Sequence, residues 1–341
     1  MRSIERIRAA VAFQQADRLP VIAQVFGHAA VLAGKTIHDY VLSGRELAYC
    51  QLKALDRYGY DCVFAVMDVS VEAEALGARL VYPSHDYPYV QSHAFTTSTN
   101  LQHVSIPDPF LQGRMPEILE ASRILRREVG EETLVVGCIL GPMTLATQLV
   151  GMETALYLAI DDPDSFERLL DFAMRVVIRF GEAQVEAGAH LPLVFDPSAS
   201  TAVIPPSFFR EFELPRLKRL FSELKAAGAL SGWLHIAGPI APLVSFYEET
   251  GAEIFNFDYC VEPNEIIRTA PGLCFDGNIK SLDFETEEPE SILDQSLHLK
   301  ELFSTRGGFI LSSGCEIPPG SRPENVAALV SATREGGTLC P

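Results

Sequence analysis

The sequence predicts an α/β fold, a (β/α)8 TIM barrel with an N-terminal helical extension and a hairpin inserted after the second strand. Eight short apolar runs recur along the chain, and longer segments with helical periodicity separate most of them. The runs are apolar almost throughout, which is typical of parallel strands that are covered on both faces. Eight such repeats within 341 residues favour a closed barrel.

The predicted elements follow one another in order. The eight strands are residues 21–26, 62–68, 134–140, 191–196, 232–236, 253–258, 273–278 and 309–313. Ile4, Ile7 and Val11 lie at helical spacing and predict an amphipathic helix ahead of the barrel. Residues 78–95 interrupt the alternation and predict the hairpin. A doubly wound open sheet is the alternative, but residues 25–30 lack the glycine-rich turn that follows its first strand.

No feature of the sequence marks a domain boundary. There is no low-complexity linker or long charge block, so we expect residues 1–341 to form a single domain. Residues 133–152 carry no charge and have the length of a membrane span. Gly137 and the Gly141-Pro142 pair instead predict a buried strand, a turn and a helix in this segment.

Charge and cysteine content exclude several classes of partner. A formal net charge of −18 and a pI near 4.8 argue against nucleic acid and against anionic membranes. The N-terminal residues lack the apolar core of a secretory signal. The seven cysteines form no Cys-x-x-Cys pair, and most lie in apolar runs, so we expect buried thiols and no disulfides. These features predict a cytoplasmic protein.

Seven polar side chains stand at or just beyond the ends of the predicted strands. They are His28, Asp68, Asp196, His235, Asp258, Asn278 and Cys315. A TIM barrel builds its active site at the carboxyl ends of its strands, so we expect these side chains to converge on one pocket.

The individual residues admit more than one interpretation. His235 precedes a Gly-Pro chain break and is a packed core residue, a catalytic base or a metal ligand. Cys315 lies in a Gly-Cys-Glu loop beyond the last strand, where a thiol is a zinc ligand, a nucleophile or inert. Asp68 and Asp196 either act on a substrate or cap a helix.

Longer segments resemble a known family along nearly the whole chain. "DVSVEAEALGARLVYP", "GPMTLATQLVGMETAL", "LHIAGP" and "SSGCEIPPGSRPENVAALV" resemble the uroporphyrinogen decarboxylase superfamily, and within it the corrinoid-dependent methyltransferases that include methylcobamide:coenzyme M methyltransferases. The family fold is a (β/α)8 barrel. The resemblance implies a methyltransferase that moves a methyl group between a corrinoid protein and a small-molecule donor or acceptor, the corrinoid being supplied by the partner protein.

The resemblance also implies a metal site. In that branch zinc is held by a His-x-Cys motif after the fifth strand and by a cysteine in the Gly-Cys loop after the eighth. These positions fall on His235, Ala237 and Cys315, so one family cysteine is replaced by alanine. We therefore expect zinc to be weakly bound or absent unless another group completes the site. The positional candidates are Asp258, Cys260 and Glu316.

With the resemblance, the strand-end residues receive predicted roles. Catalytic roles fall to Asp68, Asp196, His235 and Cys315, and substrate binding falls to His28, Asp258 and Asn278. A weakened zinc site undermines thiol acceptors in particular, because the family's zinc serves to form a thiolate. Methoxy or methylamine compounds would be affected less.

Two other functions stay open. One is a uroporphyrinogen decarboxylase-type lyase acting on a tetrapyrrole, in which Asp68 matches the catalytic aspartate of that branch. However, residues 24–34 lack the arginines with which that branch anchors the substrate carboxylates. The other is a non-catalytic, ligand-binding paralogue that has lost its metal, which Ala237 would explain.

Overall fold

Eight parallel strands form a curved sheet that closes almost completely into a barrel. The computed structural model describes residues 1–334. Its strands are β1 (Val21–Ile22), β2 (Cys62–Phe64), β3 (Arg79–Val81), β4 (Tyr89–Ser92), β5 (Leu134–Leu140), β6 (Leu191–Phe195), β7 (Trp233–His235), β8 (Ile254–Phe257), β9 (Cys274–Ile279) and β10 (Phe309–Ser313). The barrel order is β1-β10-β9-β8-β7-β6-β5-β2, with every neighbouring pair parallel. The predicted barrel and its eight strands are confirmed.

Helices connect successive strands and cover the outside of the barrel. They are α1 (Ser3–Val11), α2 (Gly27–Leu32), α3 (Ile37–Leu42), α4 (Gly44–Tyr58), α5 (Val71–Ala75), α6 (Met115–Val129), α7 (Pro142–Val150), α8 (Met152–Asp161), α9 (Pro163–Glu186), α10 (Pro206–Phe208), α11 (Leu214–Ala226), α12 (Val244–Thr250), α13 (Pro263–Thr269), α14 (Asp283–Thr286), α15 (Pro289–Ser304) and α16 (Pro323–Ser331). A π-helical segment, Phe209–Glu213, joins α10 to α11. Short 3₁₀ turns cover Leu101–His103, Pro197–Ala199 and Ala241–Leu243.

Asp61 closes the seam between β1 and β2. Its amide donates to the Val21 carbonyl at 2.9 Å, and its Oδ2 accepts from the Val21 amide at 2.8 Å. The buried carboxylate is also paired with Arg18 at 2.7 Å and with Arg6 at 3.1 Å. Because Arg6 belongs to α1, the N-terminal helix is tied to the amino end of the barrel.

The barrel interior is filled by aromatic side chains around one buried acid. Trp233 donates from Nε1 to Asp276 Oδ1 at 2.7 Å, and Asn256 Nδ2 donates to Oδ2 at 2.9 Å. The Phe64 ring lies 6.2 Å from that of Trp233. Burial raises the pKa of Asp276 to about 7. A side-chain-filled interior leaves ligands to bind at the end of the barrel.

Two further features are the antiparallel hairpin outside the barrel and the uncharged segment formed by residues 133–152. β3 and β4 form an antiparallel pair between β2 and β5 in the chain, and the segment joining them carries Tyr87. Within residues 1–334 no single helix has the length and apolarity to cross a membrane. In the same range α7 and α8 reach those values when taken together, but the chain bends by 104° between them.

Candidate active site

A pocket of about 190 Å³ opens at the carboxyl ends of the barrel strands. Its walls come from the loops after β1, β2, β6, β7 and β10 and from the hairpin. The lining residues are Phe26, Val66, Met67, Asp68, Val69, Tyr87, Pro88, Phe195, Pro197, His235, Ala237, Cys315 and Glu316. Most of this wall is apolar or aromatic, which is typical of a site for a small organic ligand.

Larger depressions also lie on the surface of residues 1–334. One of about 360 Å³ lies against α9, and one of about 250 Å³ lies beside the amino end of β10. None of the seven predicted strand-end residues lines either depression. The carboxyl-end pocket contains three of the seven, namely Asp68, His235 and Cys315, and it is therefore the candidate site.

His235 ends β7 and forms part of the pocket wall. Its side chain is fully buried, and its ring centroid lies 4.5 Å from that of Phe195. Neither ring nitrogen has a hydrogen-bond partner among residues 1–334. Burial lowers the pKa of His235 to about 3, so at neutral pH the ring offers one N–H donor and one bare acceptor nitrogen. Buried polar groups normally form hydrogen bonds, so the ring nitrogens of His235 are available to bind a ligand.

Cys315 lines the same pocket from the loop after β10. Its amide donates to Ser281 Oγ at 3.1 Å, which fixes the loop. Burial, together with the charges of Asp258 and Glu316, raises the pKa of the Cys315 thiol to about 11. Near neutral pH the group is therefore a thiol, because the thiolate would form only well above pH 7.

Asp68 reaches the pocket, but the protein itself engages its carboxylate. Arg114 donates to both carboxylate oxygens, and the Ser70 amide donates to Oδ1 at 2.8 Å. Arg114 is buried and also donates to Glu74 at 2.7 Å and to the Val41 carbonyl at 3.0 Å. Asp68 is thus a charge-balanced part of the wall. Arg114 was not predicted, since its sequence position gives no sign of this contact.

Asp196 lies behind the pocket wall and does not line it. Its Oδ1 accepts from the amide and the hydroxyl of Thr144, at 2.8 and 2.6 Å, in the first turn of α7. The helix-capping interpretation therefore describes its contacts, although the capped helix precedes Asp196 in the chain. Burial and the Asp196 charge raise the pKa of Glu213, which favours its protonated, neutral form.

His28, predicted to bind substrate, is not among the lining residues. Its Nε2 is 2.8 Å from the Tyr58 hydroxyl, and its Nδ1 is 3.3 Å from the Pro319 carbonyl. Burial lowers the pKa of His28. With both nitrogens engaged, the neutral ring joins α2 to α4 and to the loop after β10.

Asp258 and Asn278 likewise hold loops and are not in the lining. Asp258 Oδ2 accepts from the Gly238 amide at 2.9 Å, so it fixes the segment that follows His235. Asn278 Nδ2 donates to the Val261 carbonyl at 3.0 Å. The structure therefore brings these two residues near the site without exposing their polar atoms to the pocket.

Tyr87 and Glu316 form a polar pair in the wall that was not predicted as a pair. The Tyr87 hydroxyl donates to Glu316 Oε1 and accepts from the Gly27 amide at 2.5 Å. A Cβ atom at Gly27 would lie 2.6 Å from that hydroxyl, so glycine permits the approach. Burial raises the pKa of Glu316 to about 7. The available signal was the hairpin itself, since insertions after barrel strands reach the active-site end.

The donor set does not fit the zinc site that the family resemblance implies. His235 and Cys315 offer donors, but Ala237 lines the pocket with a methyl group. Within the described chain no three His, Cys, Asp or Glu side chains are arranged to hold a metal ion. Catalytic zinc uses three protein ligands.

None of the three positional candidates supplies the missing donor. Asp258 bonds the Gly238 amide. Cys260 is exposed and lies outside the pocket lining. Glu316 lines the pocket and accepts from Tyr87 at Oε1, but within the described residues it forms no three-ligand group with His235 and Cys315. A further cysteine, Cys340, lies outside the described residues.

The fold and the position of the pocket define a TIM-barrel protein with an enzyme-type site. The family model for uroporphyrinogen decarboxylase (URO-D) matches residues 2–336, and the chain belongs to that family. A solved structure described as a methyltransferase from Methanosarcina mazei has a TM-score of 0.89 at 26% identity, covering 97% of this chain and 98% of that one.

Curated relatives come from both branches of the family. A methylcobamide:CoM methyltransferase from Methanosarcina barkeri is 28% identical over 314 residues, covering 89% of this chain and 84% of that protein. A uroporphyrinogen decarboxylase from Cereibacter sphaeroides is 29% identical over 300 residues, covering 83% of each. Percentage identity alone does not separate the two branches, whereas the solved structure that matches nearly the whole chain is a methyltransferase.

Proposed function

We propose that this chain is a methyltransferase that moves a methyl group between a corrinoid protein and a small-molecule donor or acceptor. The character of the pocket carries the proposal. Among residues 1–334 its lining includes no Lys or Arg, whereas a tetrapyrrole with several carboxylates needs cationic anchors. The apolar wall suits a methyl-bearing molecule and restricts the entry of water. The likeness to a solved methyltransferase over 97% of this chain supports the same choice.

The partner is proposed from the relatives and from the reaction. A relative named methylcobamide:CoM methyltransferase uses a methylated corrinoid by name, and we assign the same class of partner to this chain. When bound, the corrinoid supplies a cobalt centre that carries the methyl group. When the small molecule is the donor, its carbon–heteroatom bond to the methyl group breaks and the heteroatom takes up a proton. When it is the acceptor, the heteroatom loses a proton and forms that bond.

The chain's own contribution is to bind and orient the small molecule. Phe26 and Phe195 offer aromatic surfaces, while His235 and Cys315 offer the polar contacts. Asp68 acts indirectly, because its pairing with Arg114 fixes the wall. Of the other four predicted residues, Asp196 supports α7, and His28, Asp258 and Asn278 hold the surrounding loops. We further propose that the chain works as a single domain in the cytoplasm, without nucleic-acid or membrane partners.

A spectroscopic assay tests this proposal. The protein is mixed with a methylated corrinoid protein and a panel of thiols, phenols and amines, and the visible absorption of the cobalt is followed. We expect an enzyme-dependent loss of the methyl–cobalt band that His235→Phe slows and the remote surface change Asp17→Asn does not. No change with any acceptor, together with carbon dioxide release from a porphyrinogen, would establish the decarboxylase. Ligand binding without either reaction would establish the ligand-binding paralogue.

A further inference from the structure

We infer that the pocket binds an uncharged aromatic ether or alcohol directly on His235, with no metal ion between them. Because this names the substrate class of the site already described, it rests on the proposed function. It depends on that function only for the statement that the bound molecule gains or loses a methyl group. Binding itself is a separate and separately measurable property.

The free hydrogen-bonding atoms of the pocket identify the anchoring point. Arg114 donates to both carboxylate oxygens of Asp68, and Tyr87 donates to Oε1 of Glu316. The remaining polar side chains of the lining are His235 and Cys315. Both ring nitrogens of His235 lack a partner among residues 1–334, although the side chain is fully buried. A ligand oxygen that accepts from the ring N–H, or a hydroxyl that donates to the bare nitrogen, removes this deficit.

The surrounding wall selects against charge. The carboxylate of Asp68 is already balanced by Arg114 at the edge of the pocket. No lining residue within the described chain offers a free cation to an anionic ligand. A charged molecule without a counter-charge would lose its hydration without compensation. Glu316 could pair with a cation only as a carboxylate, and burial raises the pKa of this group to about 7. The wall therefore favours a neutral ligand.

The aromatic side chains favour a flat ligand. The Phe26 and Phe195 rings lie 6.2 Å apart at an interplanar angle of 90°, and His235 packs 4.5 Å from Phe195. Rings in such arrangements gain from edge-to-face and offset contacts with a further aromatic ring. An aryl methyl ether or a phenol meets both requirements, since it has one ring and one oxygen.

The absence of a third metal ligand agrees with direct binding. A cysteine at the Ala237 position would add the donor that is missing, but alanine presents only a methyl group to the pocket. A metal held by His235 and Cys315 alone would lack the usual ligand count. If no metal ion is bound to His235, its ring nitrogens can contact the ligand directly.

Paired ligands test the inference. Anisole and ethylbenzene have nearly the same shape, but only anisole carries an oxygen. We expect chelator-treated wild-type protein to bind anisole about tenfold more tightly than ethylbenzene in an NMR titration, as one buried hydrogen bond would give. In His235→Phe the ethylbenzene affinity should be kept and the difference between the ligands should vanish. Equal affinities in the wild type, or a preference that survives His235→Phe, would overturn the inference.

A second measurement needs no substitution. The ¹⁵N signals of the His235 ring should move when anisole is added and stay in place with ethylbenzene. Unmoved signals at saturation would contradict direct contact even if the His235→Phe protein were to unfold.

Metal analysis completes the test. After exchange into zinc-containing buffer and desalting, we expect the wild type to retain well under one zinc per chain and Ala237→Cys to approach one. Zinc near one per chain in the wild type, falling with Cys315→Ser, would overturn metal-free binding. Failure of the corrinoid assay with intact anisole binding would refute the methyltransferase proposal while leaving this inference standing.

Discussion

His235 and Glu213 show how burial sets the charge of single residues in opposite directions. Both side chains are buried, and in each case the neutral form is favoured because the charged form loses its hydration. For His235 this means the loss of a proton, and its pKa falls to about 3. For Glu213 it means the retention of a proton, and its pKa rises. The first result leaves a neutral ring for a ligand, and the second avoids placing a second negative charge beside Asp196.

The retained proton predicts a pH dependence of stability. Above the ordinary Glu pKa of 4.5 the unfolded chain ionises Glu213 while the folded chain keeps it neutral. This group therefore lowers the free energy of unfolding as pH rises, up to its folded pKa. Glu213→Gln has nearly the same shape but cannot ionise. We expect the free energy of unfolding of the variant, relative to that of the wild type, to increase between pH 5 and 8. The increase should be at most about 1.4 kcal/mol per pH unit, and urea unfolding at several pH values measures it.

Glu211→Gln is the matched control, since Glu211 lies in the same π-helical segment but is exposed. Its stability should follow the wild type at every pH. If the free energy of unfolding of Glu213→Gln also changes with pH as that of the wild type does from pH 5 to 8, then Glu213 is ionised in the folded protein.

At the scale of elements, the entry into α7 depends on close packing with the end of β6. Asp196 follows β6 directly and accepts hydrogen bonds in the first turn of α7. Gly141 precedes that helix, and a Cβ atom there would lie 2.1 Å from Asp196 Cγ. The helix thus begins where it does because glycine lets the aspartate reach the amide and the hydroxyl of Thr144.

Gly141→Ala should therefore destabilise the protein through a clash in a site that cannot easily relax. We expect a loss of about 3 kcal/mol in the free energy of unfolding, at the upper end for overpacking. Gly272→Ala is the comparison, because a Cβ atom at Gly272 would meet nothing within 4 Å. Similar chemical denaturation midpoints for the two variants would show that Asp196 moves aside without cost.

At the scale of the whole molecule, the barrel is held closed by one buried charge cluster at its amino end. β1 has only two residues, so its contribution to the ladder is small. Asp61 compensates by bonding Val21 twice and by pairing with Arg6 and Arg18. The cluster lies at the end of the barrel opposite to the pocket, and stability and ligand binding are therefore served by separate ends of the fold.

Asp61→Asn should open this seam selectively. Two partly buried arginines would lose their shared partner, and we expect the free energy of unfolding to fall by about 3 kcal/mol. Hydrogen exchange should quicken first at the Val21 and Asp61 amides. Asp17→Asn removes an exposed partner of Arg6 and should cost less than about 1 kcal/mol. Uniform acceleration across all strands would show instead that the barrel opens as one unit.

Local patterns in the sequence were sufficient to predict the barrel. Apolar runs such as residues 134–140 and 309–313 identify buried parallel strands, since each strand covers two faces with its own side chains. The same rule predicted that polar residues at strand ends meet in one place, and Asp68, His235 and Cys315 do line one pocket. The replacement of a family cysteine by Ala237 was also visible in the sequence alone.

Only the tertiary structure decided which of these polar atoms are free. Arg114 neutralises Asp68 from 46 residues away, and Tyr87 reaches Glu316 across 229 residues. No local pattern records such pairings, because they arise when distant loops are brought to the same end of the barrel. The sequence by itself determined the barrel and the identity of its strand-end residues. The packing of those residues determined that the ring of His235 is left neutral, buried and without a hydrogen-bond partner in the part of the chain that the structure describes.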